Sequence, residues 1–232
     1  MRKNLLKLGA VASALLLGGY SIANAVPTLT ISDGILADTI TIVDQSGADQ
    51  SSILGEVSWF GTIGGWTLNF DTGDTKPNSG SATVPDMSLS FAAKTPGTGT
   101  GQLTITWSDT GFGPSSGGFI ASIGGTTTGS GISIGFSTSY NTTSLTTTGT
   151  TLNNVGASFG ASNLAYVSPL SLGGDYSLTE VVTITASAAR VYTSGNAYLV
   201  SVPDAGSTLI LLGTTMSMLC VYSRSRSKQQ KG

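Results

Sequence analysis

The chain contains no histidine and one cysteine, and only 9% of its 232 residues are charged. Each scarcity excludes something. Without histidine there is no Ser-His-Asp or Cys-His catalysis, no histidine-ligated zinc, and no side chain whose ordinary pKa lies near neutrality. A single cysteine allows no internal disulfide. Charge this far below the roughly 25% of an average soluble domain also argues against charge-rich disorder. What fills the chain instead is Gly (32), Ser (33) and Thr (33), with 39% hydrophobic residues among which Val and Ile recur. β-Branched residues spread along a polar, weakly charged chain build sheets, so an all-β exported protein is expected.

The two ends read as addresses. Arg2, Lys3 and Lys7 precede an apolar run from Leu8 to Leu17, and Ala23 and Ala25 put small residues at the two positions a signal peptidase reads. Cleavage is expected after Ala25, because the apolar core is too short to span roughly 30 Å of hydrocarbon as a helix, and Gly18-Gly19 ends it. At the other end, Val202, Pro203, Asp204, Ala205 and Gly206 lead into an apolar stretch reaching Tyr222, followed by Arg224, Arg226, Lys228 and Lys231. The eighteen residues from Ala205 to Tyr222 stand at the short limit for a transmembrane helix. Arg224 and Arg226 act as the topological stop: the basic end stays cytoplasmic, and residues 26–201 lie across the membrane. Cys220 falls inside this segment, where it serves as one more apolar side chain.

This tripartite tail resembles the PEP-CTERM class of sorting signals, and Val202 to Gly206 is similar to its VPDSG variant, with Ala205 where that variant has Ser or Gly. The resemblance implies recognition by an exosortase, an integral-membrane cysteine peptidase that cuts near the motif. It further implies delivery to the cell envelope or extracellular matrix of a Gram-negative bacterium. It covers the tail alone and transfers no activity to the rest. A retained anchor and a lipid-exchanged tail of the GPI kind use related layouts; the Pro-Asp pair and the terminal arginines favour a cleaved signal.

The chain therefore divides into a signal peptide (1–25), an exported domain (26–201) and a sorting signal (202–232). The exported domain sets Lys76, Lys94 and Arg190 against eleven carboxylates, a net charge of −8 that the basic ends mask to −2 overall. Such a module lacks the basic patches that nucleic acid or anionic lipid require. The expected partners are signal peptidase, an exosortase-like membrane peptidase and extracellular polysaccharide, with membrane contact through the C-terminal helix before processing.

Period-two alternation bounded by Gly, Pro, Asn or Asp predicts eleven strands. They are placed at 28–32, 39–44, 53–60, 66–71, 87–92, 102–108, 119–123, 132–137, 157–159, 178–186 and 197–200. So many short strands favour a two-layer antiparallel β-sandwich, with a β-barrel as the alternative. Leu103, Ile105 and Trp107 share an inward face. Between Leu178 and Thr185 the inward register changes near Val181-Val182, as for a bulge or a strand buried on both faces, central either way. The Thr-rich stretch from Ser137 to Thr151 reads as an exposed loop or edge, and Asn141-Thr142-Thr143 fits the N-glycosylation pattern, an unmodified loop being the plainer reading.

Paired carboxylates are the catalytic arrangement a histidine-free chain retains, which singles out Asp71 with Asp74, Asp44 with Asp49, and Asp33 with Asp38 as glycosidase pairs or calcium ligands. All are placed in turns, where Asp more often bonds the local backbone. Asp71 and Asp74 are the calcium candidates. Glu180 lies in an apolar run and is read as turned to solvent. Trp59, Trp66 and Trp107 are candidates for a sugar-stacking platform, with core packing the plainer reading. The expected function is non-enzymatic, structural or adhesive, with no catalytic residue and no cofactor. A carbohydrate-binding module with calcium-ordered acidic loops is the alternative, and a two-Asp secreted hydrolase a third.

Overall fold

The computed structural model describes residues 26–97, 99–115, 117–142, 149–157, 163–167, 170 and 172–202. Ala23 and Ala25 of the expected signal peptide, Pro203 to Gly206 of the expected sorting motif, and Arg224 and Arg226 lie outside the described residues.

Two six-stranded antiparallel sheets face each other. The first is built from β1 (Thr28–Ser32), β2 (Ile40–Val43), β6 (Gly101–Phe112), β8 (Ile132–Asn141), β9 (Thr150–Ala157) and β11 (Tyr176–Ala186). Its order is β2-β1-β6-β11-β8-β9. The second contains β3 (Glu56–Ile63), β4 (Trp66–Asp74), β5 (Asp86–Lys94), β7 (Gly118–Thr127), β10 (Asn163–Val167) and β12 (Tyr192–Val202). It runs β10-β7-β12-β5-β4-β3. Neither sheet closes on itself, so the architecture is the sandwich and not the barrel.

Alternation sets which residues meet. β5 buries Met87, Leu89, Phe91 and Ala93 while Ser88, Ser90 and Lys94 face outward. β6 turns Leu103, Ile105 and Trp107 inward, as the sequence predicts, opposite Thr104 and Ser108. Ile31, Ile105, Val182 and Phe136 form one row across β1, β6, β11 and β8. Each fully buried side chain of this size contributes about 1.5–3 kcal/mol relative to exposure. Glycine permits two tight features: Gly64 and Gly65, both at positive φ, close β3 onto β4 in a two-residue hairpin of the primed kind. Gly73 leaves the space that the Trp107 ring occupies from the opposite sheet, since a Cβ there would stand 2.3 Å from the indole. The Trp107 Nε1–H then donates to the Asp74 carbonyl at 3.2 Å, fastening one sheet to the other.

Several expectations need correcting. Most strands are longer than predicted, and β10 has no counterpart in the sequence reading. Residues 137–141 belong to β8, although β9 does form an edge of the first sheet. β11 is central, between β6 and β8, but its register shift lies at Tyr176/Leu178 and not near Val181-Val182. Over Tyr176 to Glu180 it is buried on both faces.

Candidate functional site

The outer face of the second sheet carries the exposed aromatics. Phe60, Phe70, Tyr192 and Tyr198 are 43–57% exposed. Along β12 the outward positions run Tyr192, Ser194, Asn196, Tyr198. An open groove of about 370 Å³ crosses the middle of this row, lined by Phe70, Ser90, Thr126, Ser194 and Asn196 over a floor that includes Gly125 and Gly195. Ser90 Oγ donates to Asn196 Oδ1 at 2.6 Å, and the Thr126 and Ser194 hydroxyls lie 3.3 Å apart. Asn196 therefore presents its amide N–H groups, with hydroxyls alongside, while at one end the Lys94 ammonium sits 5.2 Å from the Tyr192 ring centre. None of the groove-lining residues is charged.

Phe70 reaches this face because β4 is bulged. Between Leu68 and Thr72 the strand holds one more residue than β5 opposite it, and β3 shifts register at the same place. The extra residue reverses the alternation, leaving Asn69 and Phe70 both exposed and turning Asp71 inward. A bulge breaks the ladder and strands a neighbouring N–H. Here Asp71 Oδ1 accepts that of Ala92 at 3.2 Å, so the carboxyl replaces the missing backbone acceptor. Burial pushes the Asp71 carboxyl up to about 8, the Ala92 hydrogen bond opposing it.

Asp71 is thus a fully buried strand residue and not a turn residue. Asp74, three positions along and half-buried, falls on the opposite side of β4. Its pKa is raised by burial, an effect opposed by the Asn78 amide at 3.0 Å and reinforced by Glu56 and Asp86. Among the described residues no group of three or more acidic, cysteine or histidine side chains is placed to hold a metal. Three of the other paired carboxylates accept backbone N–H groups: Asp33 from Ile35, Asp44 from Gly55, and Asp49 from Gln45, Ser51 and Ser58.

Glu180 is the clearest reversal. It is completely buried, because residues two apart in a strand share a face, and Glu180 therefore joins Leu178, Val182 and Ile184 inside. It stands opposite Trp107 and Thr138 in the register of β11, and neither carboxyl oxygen has a hydrogen-bond partner. Burial holds its pKa well above the ordinary value, with Asp86 adding to the shift. Trp66 and Trp107 are core residues and Trp59 is packed against the core, so the exposed aromatic side chains of this face are Phe and Tyr instead. Asn141 ends β8 half-exposed, its carbonyl accepting from Ser177 Oγ at 3.2 Å. Val202, the first residue of the expected motif, ends β12 and pairs with Gly118.

No family model matches the chain, and no curated protein matches it. Among solved structures it is similar to the enzymatically active domain of bacteriophage CBA120 tailspike protein 4, at 14% identity and a TM-score of 0.32, over 60% of this chain and 20% of that one. A family 6 carbohydrate-binding module shows 12% identity and a TM-score of 0.24, over 61% of this chain and 89% of that one. The infectious bursal disease virus Gx strain structure shows 13% identity and a TM-score of 0.25, over 81% and 53%. The chain spans a fifth of the tailspike domain and about half of the viral chain. At these TM-scores none of the likenesses carries an argument about what this chain does.

Proposed function

We propose that the mature chain is an exported, non-catalytic adhesive module that holds polysaccharide on the outer face of its second sheet, after delivery to the envelope or matrix of a Gram-negative bacterium by its two terminal signals. The observation that carries the binding reading is the groove beside Phe70. An exposed ring offers a face for the C–H side of a sugar, and Asn196 with the hydroxyls of Ser90, Thr126 and Ser194 offers hydrogen bonds at its rim. Its uncharged lining suits neutral sugars, and the net charge of −8 disfavours polyanions. Tyr192 and Tyr198 extend the platform along β12.

Affinity electrophoresis through gels containing neutral glucans, mannans or galactans, with alginate as the anionic comparison, tests binding. Retardation by a neutral glycan is expected, and Phe70→Ala or Asn196→Ala weakens it about tenfold, roughly 1.4 kcal/mol each. Retention by none of these gels, or retention unaffected by both variants, sinks the groove reading. Mass spectrometry of the protein from its native host tests the addresses: an N-terminus at Val26 and a C-terminus near Asp204 support processing, whereas a membrane-bound chain intact through Gly232 removes the exosortase from the account.

A further inference from the structure

We propose that Lys76 and Asp109 are the site of an intramolecular amide cross-link, a covalent staple between the two layers of the sandwich. Lys76 lies in the segment leaving β4 of the second sheet, and Asp109 is on β6 of the first. Lys76 is 8% exposed and Asp109 fully buried, and Nζ stands 2.6 Å from Asp109 Oδ2. The Phe112 ring centre lies 3.8 Å from Nζ, with Tyr176 stacked on Phe112 and edge-on to Phe119. Nucleophile and electrophile are therefore held together under an aromatic wall that excludes water.

The surrounding donors distinguish the two carboxyl oxygens. The Thr110 N–H donates to Oδ1 at 2.7 Å, while the Thr75 hydroxyl and Nζ both donate to Oδ2. Nζ also donates to the Thr110 carbonyl, a second contact that holds the amine against the Asp109 carboxyl group. Burial lowers the pKa of Lys76 and raises that of Asp109, each opposed by attraction to the other, so desolvation favours the neutral amine and neutral acid that react.

The step balances within the pair. One ammonium proton moves along the 2.6 Å contact to Oδ2, giving amine and carboxylic acid. The Nζ lone pair forms the Nζ–Cγ bond, and the charge developing on Oδ1 is met by the Thr110 N–H. A second Nζ proton passes to Oδ2, the Cγ–Oδ2 bond breaks, and water leaves; one hydrogen stays on the amide nitrogen. No oxidant, reductant or cofactor is consumed, and net charge is unchanged. Fixed proximity replaces the activation that a bimolecular condensation needs. In a domain without cysteine, the product supplies the cross-link that disulfides give other exported proteins.

Peptide mapping of the folded full chain tests this. Between residues 26 and 201 trypsin cuts only after Lys94 and Arg190, because Lys76 precedes Pro77. The expected result is that the peptide ending at Lys94 and the peptide 95–190 remain joined under reducing, denaturing conditions. Their mass is the sum of the two less one water, with fragmentation placing the branch at Lys76 and Asp109. Lys76→Met abolishes the joined species. Two separate peptides at full mass from the folded wild type, or a branch at any other pair, overturn the proposal and leave a buried ion pair.

Discussion

At the scale of single residues, the two carboxyls without ionic partners in the sandwich interior make stability depend on pH. Asp71 has its folded pKa pushed from 3.8 up to about 8. The folded state therefore binds a proton more tightly than the unfolded chain. Stability from this group is fully present below about pH 4 and declines as pH rises toward about 8, at a limiting slope of roughly 1.4 kcal/mol per pH unit. Asp71→Asn keeps the acceptor for the Ala92 N–H and removes the titration, so urea melts at pH 8 are expected to show the variant more stable than wild type, with the difference vanishing near pH 4. Glu180 acts in the same direction, being raised by burial. Glu180→Leu substitutes an apolar chain for a carboxyl whose oxygens have no hydrogen-bond partners, and should gain about 1–3 kcal/mol at neutral pH by the same assay. A wild type whose stability is flat from pH 4 to 9 refutes both expectations.

At the scale of elements, the bulge in β4 couples core and surface: one extra residue exposes Phe70 and internalises Asp71. Asp71→Ala removes the acceptor that replaces the ladder carbonyl, and the expected outcome is weaker glycan retention together with faster hydrogen exchange at the Ala92 amide, although Asp71 itself lines no part of the groove. A second contact between elements is Gly73 under Trp107. Gly73→Ala drives a methyl group into the indole and should destabilise by about 1–3 kcal/mol in denaturant melts. These couplings were only partly legible. Clean alternation in 28–32, 87–92 and 102–108 located β1, β5 and β6 and oriented Trp107 correctly. The bulge was not visible, because Asn69 and Asp71 are residues that equally announce a turn and so read as the end of a strand, and the Thr-Gly-Asp that follows reads as a turn while serving as strand.

At the scale of the whole molecule, the sandwich uses little charge: Lys76 meets Asp109 inside, Asp71 and Glu180 are enclosed in strands without a cationic partner, and Asp33, Asp44 and Asp49 accept backbone N–H groups. Because the groove is built without carboxylates, and Asp71 is occupied inside the sheet, glycan retention should survive EDTA unchanged in the same gels; loss of binding on chelation would restore the calcium-ordered alternative. The amide staple closes the segment from Lys76 to Asp109. By analogy with a disulfide around a loop of comparable length, Lys76→Met should lose about 3–4 kcal/mol, on the order of 10 °C in melting temperature by calorimetry.

The sequence by itself determined the fold class, the acidic character of the domain, the two terminal addresses as an expectation, and which faces of the regular strands turn inward. Those properties depend on composition and on residues a few positions apart, where alternation and charge act locally. Only the tertiary structure decided that Glu180 is enclosed, that Asp71 mends a broken ladder, that Phe and Tyr rather than Trp form the exposed platform, and that Lys76 meets Asp109. Each of these rests on residues far apart in the chain brought together by strand register and by one sheet packing on the other, and a single bulged residue changes which side chains meet.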